Sequence, residues 1–481
     1  MEKNLAGADR SRWTILFVMV LGTFMATLDS SIVNVALPSM ADALHVTSES
    51  IAWVVSAYLI AISASILIFG KLGDQIGLTA VFQFGLVIFT AGSFLCSITD
   101  SFSMLIVARV VQAVGAAGTM ANSQGIITHT FPDAERGRAL GINGTFVALG
   151  ALAGPPLGGL IISFASWQYM FWINVPIGII AFILGMKVYP RRTEKRKAVI
   201  DIPGSLLFVL AIVPLFVALD QSITMGFANA LIIGCLIASA VGFVLFYHVE
   251  KRSEKPLLPF FIFRNKWFTV SVFCAFLSFV AIFFPTIIQP FYLQELLGLS
   301  PGLAGLFLSI YPIAMAISAP LSGNLADRIG SEIITVIGLS ITGLGLFLMS
   351  LLDAHPNFIA MGIIFGLSGL GNGMFQSPNT KMVMSSIDRK YFGTGGSVNA
   401  LVRNVGMVVG ITVATMILYG GMGARLGHVV NNYDPAQAGQ NDAFLFGMRL
   451  AYIVAALVCA LGVAVTVARM HSRRKEKREA Q

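Results

Sequence analysis

WTILFVMVLGTFMATLDSSIVNVA, residues 13–36, holds one ionisable group, Asp29, in an otherwise apolar run. As helix, a run of that length crosses a hydrocarbon core of roughly 30 Å. The basic residues Lys3, Arg10 and Arg12 before it look like the start of a secretory signal. Asp29 interrupts the run and no small-x-small cleavage site follows, so the reading is a retained first span. The rest of the chain repeats the pattern. It has 481 residues, 56% hydrophobic and only 11% charged, with a mean hydropathy of +0.82. That is far more apolar than one soluble core requires. Runs of helix-spanning length exclude a barrel.

Six apolar runs centre near residues 13–36, 51–70, 79–98, 102–122, 139–163 and 168–187. The basic linker KVYPRRTEKRKAVID (187–201) precedes two more, near 202–219 and 227–248. A second linker, EKRSEKPLLPFFIFRNK (250–266), leads to a last six, near 267–293, 301–322, 331–352, 357–379, 393–420 and 443–468. The expected fold is all-α and integral to the membrane, with fourteen transmembrane helices. The division expected is a six-helix bundle over 1–187, linkers with two inserted helices over 188–266, a second bundle over 267–468, and a basic tail over 469–481. Lys and Arg near span ends stay on the cytoplasmic side. With the N-terminus inside, predicted cytoplasmic segments hold 27 of the 31 Lys and Arg residues, and only Arg425 falls in an outer loop. Both termini are therefore expected in the cytoplasm.

The net charge of +8 sits in these linkers and not on a soluble basic module, which argues against nucleic acid. Cys96, Cys235, Cys274 and Cys459 are scattered through apolar runs without metal spacing, and read as reduced packing residues. No phosphate-cradling loop, His-rich metal set or catalytic domain is present in the sequence. The expectation is no enzyme, no metal and no cofactor, with a gradient as the energy source. A functional monomer in lipid is expected. The sequence names no accessory periplasmic partner.

Inside the spans, Asp29 is the leading candidate, because an intramembrane carboxylate is costly and marks an ion or substrate path. Burial penalises its charged form, so changing exposure can make it take or release a proton. Arg109 lies within the fourth run with Gln112 one turn on, and needs a partner. GALAGPPLGG (150–159) sets Gly150, Gly154, Gly158 and Gly159 around Pro155 and Pro156, which suits a close helix seam that moves. GKLGDQIG (70–77) recurs as GNLADRIG (323–330) after the second run of the last six, the trace of a duplication. Gly70, Asp74, Gly77, Asp327 and Arg328 are thus candidates for a cytoplasmic gate. Gln289, Tyr292, Asn372, Gln376 and Arg403, with Gln112, are candidates for a substrate cavity. Asn379 and Asn399 are further polar residues in these runs, while Glu295 and Asp220 fall at outer ends.

These strings, with LDSSIVNVALP (28–38), WVVSAYLI (53–60), RVVQAVGAAG (109–118) and WQYMFWINVPIG (167–178), resemble the major facilitator superfamily in its fourteen-span drug:proton antiporter branch. The resemblance spans most of the N-terminal half. It implies proton handling at Asp29 and Arg109, an antiporter role for the GPPxGG string, and a latch at Asp74. The chain departs from the family in carrying Gln75 and Leu78-Thr79-Ala80 where basic residues are usual, which implies either a weaker latch or a second copy, at Asp327 and Arg328, that carries more of it. The implied function is proton-coupled efflux of drugs or other small organic molecules by alternating access. Lipophilic cations are the plausible cargo from Asp29 alone. The alternatives are an exporter dedicated to one metabolite and a nutrient symporter.

Overall fold

The computed structural model describes residues 2–479 except 47, 190–200, 227, 429, 431, 432, 434 and 436. Most of the first basic linker lies outside the described residues. No strand occurs among those described. Fourteen helices among them are long and apolar enough to cross a membrane. The first six are Arg12–Asn34, Ser50–Ile76, Leu78–Ser97, Phe102–Thr130, Asp133–Phe164 and Tyr169–Val188. The seventh and eighth are Ile202–Ser222 and Ala230–Arg252. The last six are Lys266–Leu296, Gly302–Ile329, Ser331–Met349, Phe358–Ser385, Arg389–Leu426 and Gln440–Ser472. An even number of crossings puts both chain ends on one side, called here the terminal face.

Local chemistry sets the ends of these helices. Asp201, Asn265 and Asn357 each cap a helix by accepting backbone N–H bonds with the side-chain oxygen. The second and tenth helices stop at Gly77 and Gly330, with φ of 110° and 104°. Side chains with a Cβ rarely adopt that conformation. These glycines close GKLGDQIG and GNLADRIG, so the duplicated strings share a backbone geometry as well as letters. The ninth span is broken at Phe283, and after Pro290 it runs as a π-turn over Phe291–Leu296. The missing N–H groups of Pro285 and Pro290 account for this irregularity.

Packing follows the duplication. In the first bundle the first helix lies on the fifth and the third on the fourth. In the second bundle the tenth and eleventh lie on the twelfth, and the eleventh and thirteenth on the fourteenth. The bundles meet along two seams related by the repeat, fifth helix on tenth and second on thirteenth. The seventh helix packs on the eighth, the second and the thirteenth, covering one of these seams. Asp220, expected to be solvated, accepts from Ser56 Oγ at 2.9 Å and ties the seventh helix to the second. Large apolar side chains such as Phe84, Ile183, Leu306 and Ile363 are exposed on the outside, as a lipid-facing surface requires.

Candidate functional site

Asp29 has no exposed surface, and five helices converge on it. Its Oδ2 receives Arg109 NH1 at 2.6 Å. Its Oδ1 accepts from Gln112 Nε2 at 2.8 Å and from Asn174 Nδ2 at 2.9 Å. Gln112 Nε2 also donates to Ser93 Oγ at 2.7 Å, and its Oε1 accepts from Arg109 NH1 at 2.7 Å. Arg109 Nε donates to the Val54 carbonyl at 3.1 Å. The guanidinium lies over the Tyr58 ring, 4.0 Å from its centroid. The first, second, third, fourth and sixth helices are thus joined through one ion pair. A buried pair of this kind persists only when neighbouring donors and acceptors support it, and here both Asp29 oxygens accept and Arg109 Nε and NH1 donate.

The sequence named Asp29 and Arg109 for proton handling, left the partner of Arg109 open and placed Gln112 in a substrate cavity. The structure places Gln112 inside the Asp29 network, fully buried. Asn174, Ser93 and Tyr58 were not singled out, although Asn174 and Tyr58 stand within the quoted motifs. An amide in an apolar run was the available signal. A break in the sixth span at Ile173 sets Asn174 at the start of the following helical segment.

The Gly150 and Gly154 seam joins the first and fifth helices within one bundle. A Cβ on Gly150 would lie 2.9 Å from the Phe24 carbonyl oxygen, and one on Gly154 would strike the Ser31 side chain. Ser31 Oγ donates to the Ala151 carbonyl at 2.8 Å. The contact therefore covers the turns on either side of Asp29. Gly158 is buried, Pro156 and Gly159 are exposed, and the Pro155 side chain lies outside the described residues. The other half of the fifth helix meets the second bundle, where Gly141 faces the Ala319 carbonyl and Thr145 Oγ1 donates to the Ala316 carbonyl at 2.9 Å.

At the terminal face the two duplicated strings form reciprocal latches. Asp74 accepts from the N–H groups of Gly393 at 2.6 Å and Thr394 at 2.8 Å, and from Thr394 Oγ1 at 2.5 Å. Asp327 accepts from the N–H groups of Gly137 and Arg138, both at 3.2 Å, and from Lys381 Nζ at 2.5 Å. Asp74 sits on the first turn of the thirteenth helix, where the helix dipole favours negative charge, and Asp327 sits on the second turn of the fifth. Gly70 and Gly323 let the backbones approach, since a Cβ at either would collide with the facing helix. The first latch is complete without the missing basic residues, because its donors are backbone N–H groups. Arg328 is exposed and takes no part in these bonds.

The remaining polar residues separate. Gln289 is buried with its amide directed at Met349 Sδ, and Tyr292 donates to the Asp353 carbonyl at 2.7 Å; both belong to the packing of the second bundle. Asn372 donates to Tyr311 at 2.7 Å. Gln376 and Arg403 alone of the original cavity set share a space, a narrow polar cavity between the bundles. All four cysteines are free.

Two bundles of six, two inserted helices, a buried intramembrane ion pair and duplicated latches define a membrane transporter. The chain matches the Major Facilitator Superfamily over residues 19–410 and 271–481, and belongs to that family. Its fourteen spans are consistent with the drug-transporting branch. It is 34% identical over 463 residues to the riboflavin transporter RibZ of Clostridioides difficile (strain 630), covering 95% of this chain and 97% of the relative. It is 30% identical over 414 residues to multidrug resistance protein 3 of Bacillus subtilis (strain 168), covering 86% and 80%. The fold resembles the proton:xylose symporter XylE, with a TM-score of 0.64 at 14% identity, covering 93% of this chain and 95% of that one. The protein is a transporter and not an enzyme.

Proposed function

We propose that this chain exports small organic molecules in exchange for protons, with the bundles at 1–187 and 267–468 rocking about a site between them. The observation that carries the reading is Asp29, a fully buried carboxylate held by Arg109 in the turn that the fifth helix covers. Protonating Asp29 removes the attraction that holds Arg109. The first helix then shifts against Gly150 and Gly154, and the fifth helix carries that shift to its contact with the tenth. Coupling is reciprocal, so bound substrate must lower proton affinity by the same factor. Both latches are closed, and the positive-inside distribution assigns that face to the cytoplasm of a plasma or inner membrane. The conformation described here is then closed towards the cytoplasm.

The energetics suffice. One charge crossing about 100 mV yields roughly 2.3 kcal/mol, and a tenfold gradient requires about 1.4 kcal/mol. One proton therefore sustains roughly a 40-fold gradient of a neutral solute. Efflux from everted vesicles with and without a collapsed pH gradient tests the proposal. Export that ignores the gradient would sink it. A second reading, transport of a single metabolite, draws on the 34% identity to a riboflavin transporter over 95% of the chain. Riboflavin flux measured beside a panel of dyes separates the two.

A further inference from the structure

Arg403 is the one cation in the narrow cavity between the bundles, on the thirteenth helix, and no carboxylate lines that cavity. Its guanidinium forms no hydrogen bond or ion pair with any described residue. Three amide oxygens from the same lining, Gln376 Oε1, Asn379 Oδ1 and Asn399 Oδ1, are buried and accept nothing. The nitrogens of the two asparagines are already engaged, Asn379 Nδ2 with the Ser271 carbonyl at 3.2 Å and Asn399 Nδ2 with Gln124 Oε1 at 2.9 Å. The Ser271 carbonyl fixes the Asn379 oxygen as its free end. Phe279 and Phe375 supply apolar wall to the same space.

Buried charges are normally paired, and buried polar atoms normally bonded. Here a half-buried cation and three buried acceptors are left open together. Arg109, Lys381 and Arg469 by contrast each have an acidic partner, Asp29, Asp327 and Glu332, the last at 3.5 Å, although open amide oxygens also occur elsewhere, at Asn122, Asn143, Asn174 and Asn372. Asp29, which made cationic cargo plausible, is itself neutralised by Arg109. Water can fill the donors of Arg403 but cannot cancel its charge.

We propose that Arg403 is the counter-ion for the substrate, and that the site takes aromatic or apolar molecules bearing an anionic group such as a carboxylate, with an N–H or O–H donor beside it for the amide oxygens. The anion pairs with Arg403 and the donors reach Gln376, Asn379 and Asn399; the cavity holds only about 20 Å³ in this conformation, so the ring lies against Phe279 and Phe375 once the bundles part. This rests on the reading that the space between the bundles holds the cargo. It does not rest on proton coupling.

The test is equilibrium binding to the purified full-length protein in detergent, where no gradient exists. Aromatic carboxylates, their methyl esters and matched aromatic amines are compared by ligand-induced thermal stabilisation. Carboxylates should stabilise the wild type, esters less, and amines not at all. Arg403→Gln should weaken carboxylate binding by about tenfold or more, and Arg403→Lys should restore most of it. Asn379→Asp, which places a carboxylate in the cavity and leaves Arg403 in place, should also abolish it, so the inference stays testable if Arg403→Gln does not fold. It is overturned if no carboxylate stabilises the wild type, if amines bind as well, or if both Arg403→Gln and Asn379→Asp bind carboxylates normally. Loss of gradient dependence in vesicles, with this binding pattern intact, would overturn proton exchange alone.

Discussion

Asp29 and Arg109 form a buried pair in which each side chain is the other's main electrostatic support. Removing one partner strands a charge, at a cost of about 3–5 kcal/mol. Arg109→Gln should therefore lower the thermal unfolding temperature of the detergent-purified protein more than Arg109→Gln combined with Asp29→Asn, because the second change removes the stranded carboxylate. Additive destabilisation would show that the two side chains act independently. Asp29→Asn alone keeps the size of the side chain and should insert normally while losing gradient-driven efflux in proteoliposomes. Full transport by that variant would remove Asp29 from the mechanism. The sequence showed that Arg109 needs a partner without naming it, and the partner is Asp29. The second and third donors to Asp29, Gln112 and Asn174, were hidden because an amide in an apolar run looks the same whether it faces cargo or a neighbouring helix.

Among the elements, the fifth helix does two jobs at different heights. Its Gly150 and Gly154 half lies on the first helix beside Asp29, and its Gly141 half lies on the tenth. The GPPxGG string suggested a sliding seam from its small residues, yet could not say which helix it met. Gly154→Val would force a branched side chain into Ser31, and overpacking of that kind costs about 1–3 kcal/mol. The expected result is a folded, inserted protein with impaired efflux and reduced thermal stability; unchanged efflux would mean the first and fifth helices need not approach. The latches make a separate prediction. Hydrogen bonds to charged groups contribute about 1.5–3 kcal/mol. Asp74→Ala should speed amide exchange at Gly393 and Thr394 by roughly tenfold or more, and Asp327→Ala should do the same at Gly137 and Arg138. Exchange that stays slow in both variants would mean that the terminal face is closed by other contacts.

For the whole molecule, closing the terminal face brings Thr145 and Ala316 together across the fifth and tenth helices. Cysteines at both positions, in a chain whose own four cysteines are replaced, should crosslink under oxidation. The crosslink should stop transport, and reductant should restore it. Continued transport with the bond intact would exclude rocking about this seam.

The number of spans and the duplicated strings in the two blocks of six were decided by the sequence alone. Each depends on properties local to a run: length, apolarity, flanking charge and a repeated string that ends in the same left-handed glycine. What only the tertiary structure decided is which helix faces meet. It joined Asp29 to Arg109 and Asn174, set each latch carboxylate on the opposite bundle's backbone, sent Gln289 and Tyr292 into packing, and left Arg403 without a counter-ion. Those outcomes depend on rotations of whole helices about their axes, fixed by close contacts among glycines far apart in the chain, and no single run carries that information.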